Sequence, residues 1–117
     1  MLFFKKKVKV SDENIQQNKY AIEELAGSID SIVAGMENEE FIKRMRDIQE
    51  KIKYFNPTCD QRALDLDKKI ADLIGDIKIE VVKNKEESAQ EKIGGMITRI
   101  EMLVPDRNNF ANSKRKV

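Results

Sequence analysis

From Ile15 the chain places Ile22, Leu25, Ile29, Ile32 and Met36 at alternating steps near three and four, with Asn18 the only polar interruption. That spacing keeps the apolar side chains on one side of an α-helix and scatters them over both faces of a strand. It predicts an amphipathic helix of about 25 residues, about 37 Å long at 1.5 Å per residue. Ser11 or Asp12 serves as its N-cap and Gly35 as its C-terminal stop. Asn38 then caps a second helix, with Glu39 and Glu40 on its positive end. Its stripe is Phe41, Met45, Ile48, Ile52 and Phe55, ended by Asn56-Pro57.

A third helix opens at Thr58, with Gln61 three residues on completing a capping box. It carries Ala63, Leu66, Ile70, Leu73, Ile77 and Val81. After a polar run, Ser88 and Glu91 cap a fourth helix with Ala89, Ile93, Met96 or Ile97, Ile100 and Leu103, stopping at Val104-Pro105. Gly94-Gly95 weakens the first half of that helix, because glycine costs roughly 1 kcal/mol against alanine in a helix interior.

A shift of 48 superposes the halves. Asp12 falls on Asp60, Ile22 on Ile70, Leu25 on Leu73, Gly27 on Gly75, Ile29 on Ile77, Val33 on Val81, Ile52 on Ile100 and Pro57 on Pro105. Stripe positions attract the same few residues in any two amphipathic hairpins, but the matched glycines and prolines lie off the stripes. The expected fold is all-α: a four-helix bundle built from two helical hairpins, with internal duplication as one origin. Residues 1–11 form an N-terminal arm, 12–105 the bundle and 106–117 a flexible basic tail.

Gly27 and Gly75 point roughly opposite the core seam. On that back face the first helix shows Tyr20, Gly27, Ser31 and Ala34, and the third shows Leu64, Ala71, Gly75, Ile79 and Val82, with Lys68 filling the gap. A helix apolar on two sides expects neighbours on both, and small residues let another backbone approach. The face is ordinary core if the third helix is central. Otherwise it receives a second copy of the chain, the arm's own Leu2, Phe3, Phe4, Val8 and Val10, or a different protein.

The sequence carries almost no signature of catalysis or metal binding. With no histidine among 117 residues, Ser-His and Cys-His pairs, zincin motifs and the Glu-x-x-His of di-iron bundles are excluded. Gly94-Gly95 lacks the surroundings of a phosphate-binding loop, and Glu23-Glu24 and Glu86-Glu87 are ordinary solvated acids. Cys59 falls in the first turn of the third helix, where the positive helix end favours thiolate, but its register with Ala63, Leu66 and Ile70 packs it inward. No catalytic residue, metal, cofactor or small-molecule substrate is expected. The single cysteine excludes an intrachain disulfide framework and fits a reducing cytoplasm.

Charge is uneven. Residues 1–11 carry four lysines and residues 107–117 four bases, neither with an acid, leaving all 21 acids against 14 bases between them. Phe3, Phe4, Lys5, Lys6, Lys7 and Lys9 join apolar and basic groups in the combination that holds a protein on an anionic membrane. The same stretch also reads as a lysine-protected edge strand. The expected function is a non-enzymatic helical interaction or assembly module, self-associating through the second face of the third helix. The alternative is a peripheral module at the inner face of the membrane. A regulator whose basic tails touch nucleic acid ranks third, because the acidic body carries no aromatic platform.

Overall fold

In the computed structural model, the backbone is described for residues 2–83 and 87–112 and the side chains for 13–82 and 87–112. Four α-helices and, among the described residues, no strand make up the chain: α1 (Leu2–Ala34), α2 (Glu39–Lys53), α3 (Gln61–Lys83) and α4 (Glu87–Ala111). α1 packs along α2 and α3 along α4 as antiparallel hairpins, the all-α arrangement the stripes predict. One hairpin stacks on the other, with α1 beside α3 and α2 beside α4. Both stacked pairs run parallel. Asn18 of α1 bonds Asp67 near the start of α3, and Gly35 just past α1 meets Val81 near the end of α3. Phe41 of α2 likewise meets Gly94 of α4, and Asn56 beyond α2 bonds Asn112 beyond α4. The 54–60 segment therefore crosses the bundle end diagonally, from α2 to α3.

The core repeats as the sequence does. Ile22 and Ile70, Ile29 and Ile77, Met45 and Ile93, and Ile52 and Ile100 are buried in both members of each pair, 48 residues apart. Each such side chain contributes about 1.5–3 kcal/mol by leaving water. The matched prolines are not equivalent, since Pro57 lies between helices and Pro105 inside α4.

Local signals set several boundaries and miss others. The Asn38 side chain accepts the Phe41 N–H at 3.1 Å and caps α2 as expected, while the Gly35 and Met36 N–H groups close back on Ile32 and Val33. At the start of the chain α1 begins at Leu2, so Ser11 and Asp12 lie within the helix, and the arm continues α1 rather than forming an edge strand. α3 begins at Gln61, and its cap is Asp60 rather than Thr58. The Asp60 Oδ1 accepts the Arg62 N–H at 2.9 Å, the Thr58 Oγ1 accepts the Asp60 N–H, and Gln61 turns forward to Asp65. Asp60 wins the position because its carboxylate also takes the Arg62 guanidinium in two bonds of 3.1 and 2.9 Å.

Contrary to the expected stop at Val104-Pro105, α4 passes through Pro105 to Ala111. An interior proline removes one helix hydrogen bond and costs about 3 kcal/mol. The helix beyond it offsets that cost, because Arg107 and Ala111 are both buried. Residues 106–111 thus belong to the bundle, not to a tail.

A candidate interaction groove between α1 and α3

Three stripe positions that are not apolar meet at one end of the bundle. Asn18 interrupts the α1 seam, Asp67 sits between Ala63 and Ile70 on α3, and Arg107 follows Ile100 and Val104 on α4. Arg107 is 0% exposed. Its Nε donates to Asp67 Oδ1 at 2.8 Å, its Nη1 to the Asn56 carbonyl at 2.8 Å, and its Nη2 to Asn18 Oδ1 at 3.1 Å and Asp67 Oδ2 at 3.2 Å. The Phe55 ring lies 4.4 Å from the guanidinium carbon. Asn18 also donates to Asp67 at 3.1 Å and accepts the Thr58 N–H at 3.0 Å. α1, the crossing segment, α3 and α4 are tied together by this one cation, and no buried side-chain polar atom among the described residues is left without a partner.

Starting at that cluster, a groove of about 940 Å³ runs between α1 and α3. Its floor is apolar, with Ile22, Ile32 and Ile74. Its walls are low because the facing positions carry Ala21 and Ser28 on α1 and Ala71 and Gly75 on α3, side chains too short to close the gap. Glu24 lines the α1 side, and Lys68 and Lys78 line the α3 side. At the far end Gly35 lets Val81 approach, and a Cβ there would lie 3.3 Å from the Val81 methyl.

Other interhelix contacts are polar and exposed to different degrees. Arg44 grips Glu101 in two bonds of 3.0 and 2.6 Å and reaches Thr98, joining α2 to α4, and this holds the Glu101 carboxyl below its ordinary value. Asp30 is likewise lowered, first by the Gln49 amide and then by Arg46, across the α1–α2 contact. The half-buried Asp60 is pulled down to about 2, chiefly by the Arg62 guanidinium.

The five residues expected on the second face of α3 all lie off the core. Leu64 is half-buried, and it lines the groove with the exposed Ala71 and Gly75; Ile79 and Val82 continue the face beyond it, 55% and 78% exposed. Among the described residues the face is therefore uncovered rather than ordinary core. Cys59 is exposed at the groove's end, outside α3, not packed inward. The contact group Phe3, Phe4, Lys5, Lys6, Lys7 and Lys9 has its side chains outside the described residues.

Neither Arg107 nor Gly94 figures among the sequence-derived site residues. Continuing the α4 stripe past Pro105 would have found Arg107, since Ile93, Ile97, Ile100, Val104, Arg107 and Ala111 keep steps of four and three throughout. No pattern singles out Gly94, whose missing Cβ makes room for the Phe41 ring at 3.1 Å. The matched pair Gly27 and Gly75 behaves differently: a Cβ on either would meet nothing within 4 Å.

Among the described residues no helix is long and apolar enough to cross a membrane, and no three acidic, cysteine or histidine side chains gather as a metal site would need. Comparison with protein-family models, curated proteins and solved structures finds no match to this chain.

Proposed function

We propose that this chain is a non-enzymatic helical assembly module that associates with copies of itself through the outer face of α3. The observation that carries this reading is the exposure of Ile79 and Val82, continuous with Leu64, Ala71 and Gly75 along a helix whose opposite face is already buried. Covering a valine or isoleucine contributes about 1.5–3 kcal/mol, and a contiguous exposed apolar face commonly marks an interaction surface. Gly75 adds to it, since a Cβ there would meet nothing within 4 Å among the described residues. A reducing cytoplasm suits such a module, because the exposed Cys59 thiol would otherwise cross-link its copies.

The test is solution mass by light scattering across a wide concentration range, on the full chain and on its Ile79→Glu and Val82→Glu variants. The wild type is expected to rise above its monomer mass of 13.5 kDa, and the variants to stay at it with unchanged helical circular dichroism. A wild type that stays monomeric at every concentration overturns the reading.

A further inference from the structure

We infer that the partner copy lies with its α1 over this copy's α3, and its α3 over this copy's α1, in a two-fold pairing whose axis runs along the groove. The inference rests on the self-association reading and adds the orientation. It is carried by the unequal charge of the two groove walls. The α1 wall contributes Glu24, and the α3 wall contributes Lys68 and Lys78. None of these three makes an ion pair with another described residue. The remaining groove carboxylate, Asp67, is already neutralised by Arg107 at 2.8 Å. Asp65 and Asp72, exposed acids of the same part of α3, lie outside the groove lining.

A second copy is the occupant whose charges are known to fit. An isologous contact presents the same patch from both sides, so one acidic wall and one basic wall complement each other only if each α1 faces the other copy's α3. Rotation about an axis along the groove does that. Rotation about an axis across it sets α1 on α1 and α3 on α3, and brings lysine against lysine.

The levels also agree. α1 and α3 are parallel with a register shift of 49 at Asn18–Asp67 and 46 at Gly35–Val81. Glu24 therefore stands between the levels of Lys68 and Lys78, about one turn or 6 Å from the former, within reach of two long side chains. The short Ala21, Ser28, Ala71 and Gly75 set the helices of the two copies close together.

Glu24→Lys, Lys68→Glu and the double exchange separate this orientation from other modes of self-association. By sedimentation equilibrium, each single exchange is expected to raise the dissociation constant about tenfold, since it sets like charges together at two symmetric places. The double exchange is expected to restore association to near the wild-type value. Single exchanges that associate like the wild type, while Val82→Glu is monomeric, overturn this orientation and leave self-association standing. A monomeric wild type removes both. Should an exchange unfold the chain, Glu24→Gln and Lys68→Gln delete the charge without reversing it, and the same comparison holds at smaller amplitude.

Discussion

On its inner side α3 gives Ile70 and Ile77 to a closed core shared with α4, whereas towards α1 the same helix presents Ala71, Gly75 and two lysines to an open groove floored by Ile74. Both faces are built from the same helical period. What differs is the volume supplied from across the gap. Isoleucines of α4 close one side, while alanine and serine on α1 leave the other unfilled. The α1–α3 pair is held at its ends instead, by the Arg107 cluster at one and the Gly35–Val81 contact at the other. Secondary structure thus places an apolar stripe, and side-chain size decides whether it becomes core or surface.

The contrast breaks most severely at its closed end. Arg107→Ala is expected to cost about 3–5 kcal/mol, because it removes a fully buried guanidinium and leaves the half-buried Asp67 carboxylate with the Asn18 amide in place of its cation. Urea denaturation measures this, and the combined Arg107→Met, Asp67→Leu change should recover much of the loss because no uncompensated charge remains. A loss under about 1 kcal/mol for Arg107→Ala would show that the cluster does not hold the bundle end.

Gly27→Ala and Gly75→Ala come next, with opposite sign. Both sites are helical and clear of neighbours, so each alanine should stabilise the folded chain by about 0.5–1 kcal/mol. Gly94→Ala should gain less than either, because its methyl group meets the Phe41 ring at 3.1 Å. Thermal melting of the three variants gives the order directly, and an equal gain at all three would remove the distinction between open and filled glycine sites.

Ile79→Glu and Val82→Glu should change stability by no more than about 0.5 kcal/mol at concentrations where the chain is monomeric, since both positions are exposed. Unfolding by either change would move this face from surface to core. The smallest effect is electrostatic. The Asp60 carboxyl should titrate near pH 2 in the folded chain, held down first by Arg62. Its folded value lies below its ordinary value of 3.8. The stability it contributes is therefore complete above the ordinary value and is lost as pH falls towards 2. Carbon-detected NMR titration reads the midpoint, which Arg62→Ala should return towards the ordinary range.

The four stripes, the Asn38 cap and the two hairpins were legible because periodicity and capping are local properties of a short stretch of chain. The second face of α3 was also legible, since Ile79 and Val82 lie off the seam at positions a 3.6-residue period places outward. Pro105 misled because the cost of a proline is local, whereas its compensation comes from Arg107 and Ala111 docking on distant helices. Arg107 counted among the terminal bases for the same reason: nothing near it in the chain announces Asn18, 89 residues away, or Asp67.

The sequence by itself determined that this protein is four amphipathic helices in two hairpins, because the spacing of apolar side chains along one helix depends on nothing else. Only the tertiary structure decided that the hairpins stack in parallel, that three polar seam residues satisfy one another, and that a groove opens where small side chains face each other. Those outcomes depend on which surfaces meet and how much volume each brings, and that is a property of pairs of elements distant in the chain.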